Sequence, residues 1–133
     1  MKIEGLDELN ALNLHFENQP LTFEAIEAND ATFYSVCIGK KPIAHFSLSD
    51  FPHAYKAAIS YDVLIAAEFR NKGLGSLLHN ARLIMLKKLA YNRVFCTVNE
   101  NNVAELAILR RYGWTRLEYM NNEHTSALWV KAL

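Results

Sequence analysis

The segment from Arg70 to Ser76 constrains the fold most strongly, because it joins an apolar stretch, Val63 to Ile65, to a long amphipathic stretch through a glycine-containing turn. The first N–H groups of a helix have no partner within the helix, and the helix dipole adds partial positive charge beside them. Glycine lets such a backbone approach a ligand because it lacks a Cβ atom. The segment therefore predicts a strand, a turn and a helix whose start binds a phosphate group.

Two common phosphate motifs do not fit this segment. A P-loop requires four residues between its first glycine and a Gly-Lys-Ser/Thr sequence, which this chain lacks. A dinucleotide fingerprint requires a third glycine at the position that Leu78 occupies. What remains is an Arg-x-x-Gly-x-Gly pattern between a strand and a helix.

This pattern resembles the acyl-CoA loop of the GNAT acetyltransferases, and a second segment extends the resemblance. Asn102 stands where an asparagine opens the fourth helix of that family, and Gly113 and Trp114 stand where that helix ends. The resemblance covers residues 57–133 well and the first third of the chain loosely. Three positions depart from the family pattern, which usually has proline, alanine and tyrosine there: Ala67, Glu105 and Leu109. Since the tyrosine often acts as general acid, the usual proton donor is missing.

The resemblance implies that acetyl-CoA is a co-substrate. The strand end would pair with the pantetheine arm, a backbone N–H near Ile65 would polarise the thioester carbonyl, and the loop would hold the pyrophosphate. The cofactor-binding residues implied in this way are Leu64, Ile65, Ala66, Arg70, Asn71, Lys72, Gly73, Leu74, Gly75, Ser76 and Asn102. Asn102 can equally serve only as the cap of its helix.

The catalytic residues are harder to predict. Direct attack by an amine needs a base or a chain of water molecules to take a proton. Asp62 is the first candidate because strand alternation puts it on the same face as Leu64, and Glu100 and His124 follow. Tyr112 could replace the missing acid, although packing at the helix end is the plainer interpretation of this side chain.

The hydrophobic periodicity predicts one α/β domain over residues 1–133. The apolar residues over 6–16 have the spacing of a short helix. Four strand-like runs follow, and the glycine loop then leads into a helix over 74–90. The predicted strands cover residues 21–26, 32–38, 43–49, 57–65, 93–98, 114–120 and 126–133. This order predicts a mixed, mostly antiparallel sheet covered by helices on both faces, and the resemblance adds a splayed strand pair.

Composition and charge exclude several classes of function. No apolar run approaches a membrane span, and the N-terminus lacks a signal peptide, so no membrane role is expected. Cys37 and Cys96 lie in apolar runs, as buried free thiols of a cytoplasmic protein would. The histidines and cysteines lack metal-ligand spacing, which predicts no metal site. The basic residues lack the aromatic interleaving of a nucleic-acid surface, so no nucleic-acid partner is expected.

The charge is divided between the two halves of the chain. Residues 1–68 contain ten acids and four bases, and residues 69–133 contain four acids and ten bases. The basic half suits the phosphates of coenzyme A, and the acidic part indicates a cationic acceptor. The C-terminal segment with Leu128, Trp129, Val130 and Leu133 could present an apolar edge to a second copy, forming a homodimer, or complete the monomer's own sheet.

These observations predict an N-acetyltransferase that moves an acetyl group from acetyl-CoA to a primary amine of a small molecule or peptide without a covalent enzyme intermediate. One alternative is a catalytically silent GNAT-fold module that binds acyl-CoA or serves in protein interaction, which the leucine at position 109 favours. Another is a nucleotide-binding α/β domain unrelated to acetylation.

Overall fold

The computed structural model describes residues 4–133 except for the side chain of Asp62. The described residues form three α-helices and eight strands, with a short 3-10 turn at Ala67–Phe69. The helices are α1 (Leu6–Ala11), α2 (Leu74–Lys88) and α3 (Val103–Arg111). The strands are β1 (His15–Phe16), β2 (Gln19–Ala28), β3 (Ala31–Ile38), β4 (Lys41–Asp50), β5 (Ala57–Ile65), β6 (Arg93–Asn99), β7 (Thr115–Tyr119) and β8 (Ser126–Ala132). No helix in the described part of the chain has the length and apolarity needed to span a membrane.

The strands form one sheet in the order β1-β2-β3-β4-β5-β6-β8-β7. Every neighbouring pair is antiparallel except β5 and β6, which are parallel and joined by α2. The β5–β6 pairing covers only Ala57–Ser60 with Arg93–Cys96, although β5 continues to Ile65 and β6 to Asn99. The two strands therefore separate beyond Ser60 and Cys96, and the predicted mixed, mostly antiparallel sheet with a splayed pair is confirmed.

Helix α2 contacts both of the other helices, α1 and α3. The Arg82 side chain of α2 lies over Phe46 of β4 and donates a hydrogen bond to Ser60 of β5. Ile108 of α3 lies beside Gly75 of α2. The six-residue α1 contacts α2 and β2.

The predicted helix over residues 6–16 is too long, because α1 ends at Ala11. Asn13 has a left-handed φ of 51°, which stops the helix, and β1 then pairs with the start of β2. The residues that join them, Glu17 and Asn18, have φ values of 52° and 62°. Two successive positive φ angles are typical of the tight type I′ turn of a β-hairpin. The leucines before this turn keep helical spacing, and the turn itself contains no glycine. The sequence pattern therefore predicts a helix where the structure has a turn.

The C-terminal strand completes the monomer's own sheet. β8 lies between β6 and β7, and Trp129, which pairs with Cys96, is buried. Ala127 of the same strand is fully buried. The segment thus completes the sheet of one copy of the chain, and the homodimer stays a prediction.

Candidate acyl-CoA site

The Arg70–Ser76 loop and α3 form the two walls of an open groove of about 550 Å³. The separated end of β5 closes its base. Of the residues that the sequence predicted to bind the cofactor, eight line this groove: Leu64, Ile65, Arg70, Asn71, Gly73, Gly75, Ser76 and Asn102. Segments that are distant in sequence therefore meet at the place where the strands separate.

The start of α2 is open toward solvent and ligand. Gly73 caps the helix with a left-handed φ of 87° and has no side chain to satisfy the first N–H groups. A Cβ atom at Gly73 would meet no other atom within 4 Å, so there is free space in front of this backbone. The N–H of Leu77 already bonds to the Gly73 carbonyl, whereas the earlier N–H groups have no intrahelical acceptor. The geometry suits a phosphate group.

The second glycine has a different role from the first. A Cβ atom at Gly75 would lie 3.2 Å from Cδ1 of Ile108 and 3.5 Å from Cδ1 of Ile65. Gly75 therefore allows α2 to approach both α3 and the end of β5. This close approach sets the width of the groove.

The end of β5 presents backbone groups to the groove. The Ala66 N–H donates to the Ile43 carbonyl of β4, so by alternation the Ile65 N–H points toward the opposite, unpaired edge. The Ile65 carbonyl accepts a 2.8 Å hydrogen bond from Nε of Arg70, which fastens the loop to the strand end. A strand edge with an unpaired N–H can bind an extended amide-containing ligand as an additional strand would.

Three of the predicted cofactor residues do not line the groove with their side chains. Leu74 is buried in the core, and Ala66 continues the pairing with β4. Lys72 lies 3.6 Å from a carboxylate oxygen of Glu17 and near the ring of Phe69. Any contact of Leu74 with a phosphate would use its backbone N–H.

The predicted catalytic residues are dispersed. The side chain of Asp62 lies outside the described residues. Glu100 lies beside Arg116, 4.0 Å from its Nη1 atom, and Tyr112 stacks on His79 with a centroid distance of 4.6 Å. Neither of these two lines the groove, and His124 stacks on Tyr119 in the exposed β7–β8 connection.

Helix α3 contributes residues that the sequence did not identify as part of the site. Asn102 caps it, since its Oδ1 accepts from the Glu105 N–H at 3.2 Å. Glu105, Arg111 and the small residue Ala107 all line the groove. Four groove residues of α3 are spaced three and four residues apart and therefore lie on one stripe of the helix, a signal that was available in the sequence: Ala104, Ala107, Ile108 and Arg111.

A second, more enclosed cavity of about 180 Å³ lies where β5 and β6 separate. It is lined by Ser60 and Cys96 at the point of separation, by Arg82 from α2, and by Glu105 and Leu109 from α3. Burial raises the pKa of the Cys96 thiol to about 12, so the sulfur is a neutral thiol at physiological pH. Leu109, at the position of the family's usual tyrosine, places an apolar side chain in this wall.

His79, which also lines the cavity, is held neutral by burial. The Trp114 indole N–H donates to Nε2 of His79 at 2.8 Å, which leaves the ring proton on Nδ1 toward Asn80. Burial, reinforced by the nearby charge of Arg82, lowers the pKa of His79 to about 4. Protonation would also break the bond from Trp114, because Nε2 would become a donor.

We expect His79 to make the protein less stable in mild acid. Its pKa rises to about 6.5 on unfolding, so the unfolded state binds the extra proton between pH 6.5 and 4. The stabilisation is complete above pH 6.5 and decreases as the pH falls toward 4, by up to about 1.4 kcal/mol per pH unit. Urea unfolding at several pH values should show a smaller decrease for His79→Gln. The exposed His15→Gln variant is the control, and equal pH dependence of all three proteins would contradict this role.

Among the described residues, no three His, Cys, Asp or Glu side chains cluster in a way that could hold a metal ion.

Both the sequence and the fold of this chain are similar to those of known proteins. Residues 4–114 match the model of the acetyltransferase (GNAT) family. An acetyltransferase from Bacillus subtilis, solved with CoA, has a TM-score of 0.71 at 11% identity, covering 85% of this chain and 99% of that one. A GNAT family acetyltransferase from Elizabethkingia anophelis with acetyl-CoA bound has the same TM-score at 13% identity, with coverage of 85% and 98%.

A third similar structure belongs to an enzyme that is named for its acetyl acceptor. The ribosomal-protein-S18-alanine N-acetyltransferase of Escherichia coli has a TM-score of 0.66 at 13% identity, covering 80% of this chain and 71% of that one. At such identities the structures support the shared fold alone. A comparison with curated proteins returned no match.

Proposed function

Because this chain belongs to the GNAT acetyltransferase family, we propose that it transfers an acetyl group from acetyl-CoA to an amine by direct attack. The observation that carries the proposal is the groove in which the open start of α2 and the unpaired edge of β5 face the same space. Its dimensions and donors suit a ligand with a diphosphate at one end and amide groups along its length. Similar structures hold CoA or acetyl-CoA.

The proposed reaction depends on positioning and on backbone donors. The first N–H groups of α2, with Arg70 and Arg111 beside the groove, would hold the phosphates. The Ile65 N–H would pair with the extended arm or polarise the thioester carbonyl. Holding the amine in line with that carbonyl supplies a large part of the rate enhancement in such direct transfers.

The acceptor is proposed to be an amine, and the acidic first third of the chain indicates a cationic one. Four of its acids line a different concavity beside α1, away from the groove: Glu4, Asp7, Glu8 and Glu27. Among the described residues, Glu105 is the acid that lines both the groove and the enclosed cavity. Within the groove, the carboxylate that an ammonium group would meet is therefore Glu105, whereas these four N-terminal acids line a different concavity.

A catalytically silent acyl-CoA-binding module remains the alternative. The observation that favours it is the buried Leu109, which offers no proton to a departing thiolate. A cytoplasmic location is proposed for either function, supported by the two buried, unpaired cysteines.

We expect acetyl-CoA and CoA to raise the melting temperature of the protein, whereas ATP and NAD should not. A ligand at 100 times its dissociation constant stabilises the folded state by about 2.7 kcal/mol. Release of free thiol from acetyl-CoA in the presence of an amine panel that includes spermidine would then measure transfer. Stabilisation by acetyl-CoA with no transfer to any amine would favour the silent module. Stabilisation by ATP or NAD alone would contradict both proposals.

A further inference from the structure

The enclosed cavity contains a buried positive charge. Arg82 is only 5% exposed, and it lines the cavity from α2. Its Nε donates to the Leu78 carbonyl at 3.3 Å and its Nη1 to the Ser60 hydroxyl at 2.7 Å. A guanidinium has five N–H groups, and these bonds use two of them. The remaining donors have no hydrogen-bond acceptor among the described residues.

No described carboxylate forms an ion pair with Arg82. Two groups partly offset the charge of Arg82: the ring of Phe46, whose centroid lies 5.4 Å from the guanidinium carbon, and Glu105, whose carboxylate interacts with it electrostatically. Cys96 and His79, the other titratable groups beside it, are both neutral. Since an arginine keeps its charge even when buried, and burial of an unpaired charge is costly, the cavity is suited to an anionic group.

The cavity adjoins the acyl-CoA groove. The two spaces share Val63 of β5, the N-cap residue Asn102 and Glu105 of α3. Glu105 thus lies at the boundary, with the groove on one side and the Arg82 charge on the other. The volume of about 180 Å³ exceeds that of an engineered cavity of about 150 Å³ that holds benzene, so a small organic molecule can enter it.

We propose that this cavity binds the acceptor and that the acceptor is a small α-amino acid. Its carboxylate would bind the free N–H groups of Arg82 in the bidentate manner typical of guanidinium–carboxylate pairs. Its amino group would lie beside Glu105 at the boundary with the groove, where the thioester would be. One negative and one positive protein group across a cavity of this size match a zwitterion. This inference rests on the proposed acetyl transfer and specifies its substrate class.

These groups alone account for every bond and every proton in the transfer. The ammonium of the amino acid gives one proton to the Glu105 carboxylate, and the freed nitrogen lone pair attacks the thioester carbon. The C–N bond forms as the C–S bond breaks, and the amide product loses its second proton to the departing sulfur, which leaves as the thiol of CoA. Glu105 then returns its proton to water. No oxidant, metal or covalent enzyme intermediate takes part.

The first test changes the ligand rather than the protein. The twenty standard L-amino acids are screened with acetyl-CoA, and the best of them is compared with its own amide, which keeps the amine and lacks the carboxylate. Thiol release and product mass are measured, and calorimetric binding to the protein–CoA complex gives a second readout. We expect at least a tenfold preference for the amino acid over its amide in kcat/KM or in affinity. Equal use of the two, or binding and transfer confined to spermidine and other amines without a carboxylate, would overturn the inference.

The second test changes the charge. Arg82→Gln should abolish the preference for the amino acid over the amide, mainly through KM, while acetyl-CoA binding stays within threefold. Arg82→Lys, which keeps the charge without the planar fork, should retain part of the preference. Arg110→Gln, on the exposed surface of α3, is the matched control. An unchanged preference in folded Arg82→Gln would contradict the inference, and if that variant fails to fold, the comparison of acid with amide in the wild type decides.

These results separate the inference from the function on which it rests. Acetyl-CoA binding with transfer only to amines that lack a carboxylate would refute the amino-acid site and leave the acetyltransferase intact. Absence of acetyl-CoA binding would refute the proposed function itself.

Discussion

Gly73→Val is expected to weaken acetyl-CoA binding at least about 100-fold. The φ of 87° at Gly73 is the left-handed region, which a β-branched residue scarcely adopts. The new side chain would also stand at the start of α2, where the space around a Cβ atom is now empty. Hydrogen bonds to charged groups contribute about 1.5–3 kcal/mol each, so loss of two of them amounts to a factor of 100 or more. Calorimetric titration with acetyl-CoA measures the effect.

The chain offers a close control for this variant. Gly39, in the β3–β4 turn, has a left-handed φ of 58°, and a Cβ atom there would likewise meet no other atom within 4 Å. Gly39→Val should therefore strain the backbone similarly, lowering stability by about 1–2 kcal/mol, and leave acetyl-CoA binding unchanged. If folded Gly73→Val bound acetyl-CoA as tightly as Gly39→Val does, the start of α2 would not be the phosphate site.

Glu105→Gln is expected to lower kcat by about 10²- to 10⁴-fold, the usual contribution of a positioned general base. The carboxylate lines both the groove and the enclosed cavity, where the amine and the thioester would meet. The backbone N–H of residue 105 bonds to the Asn102 cap in either variant, so the helix start is retained. Steady-state kinetics with the best acceptor measure the change, and acetyl-CoA affinity should stay within a few-fold.

Two further substitutions make this experiment decisive. Glu118→Gln changes an exposed acid of β7 and should have wild-type kinetics. Asp62→Asn tests the base that the strand pattern predicted. A large loss of kcat in Asp62→Asn together with normal kcat in Glu105→Gln would assign the base to β5 and remove Glu105 from the reaction.

Local chemistry made several elements predictable. β5 begins and ends where alternation and apolar residues placed it, at Ala57 and Ile65. Asn102 caps α3, and Gly113 takes a left-handed φ of 80° beyond its last turn. Each of these features depends on residues that lie within a few positions of one another. Their conformational preferences are therefore already present in the chain before it folds.

The N-terminal region shows where such reasoning is insufficient. Leucine spacing predicted a helix to Phe16, but pairing of β1 with β2 provides backbone hydrogen bonds that an isolated short helix cannot match. Helix α1 likewise packs against α2, which begins more than 60 residues after α1 ends. These outcomes depend on partners that lie far away along the chain.

The sequence by itself determined the phosphate-binding turn, because a strand, a glycine in a left-handed position and the first N–H groups of a helix lie within one short segment. Only the tertiary structure decided what faces that turn. Glu105 belongs to a helix that begins about 30 residues after the turn. Arg82 is a buried cation at the point where β5 and β6 separate. From sequence alone, a charged residue on a helix is expected at the surface. Arg82 lines a cavity instead because the pairing of β5 with β6 ends beside it.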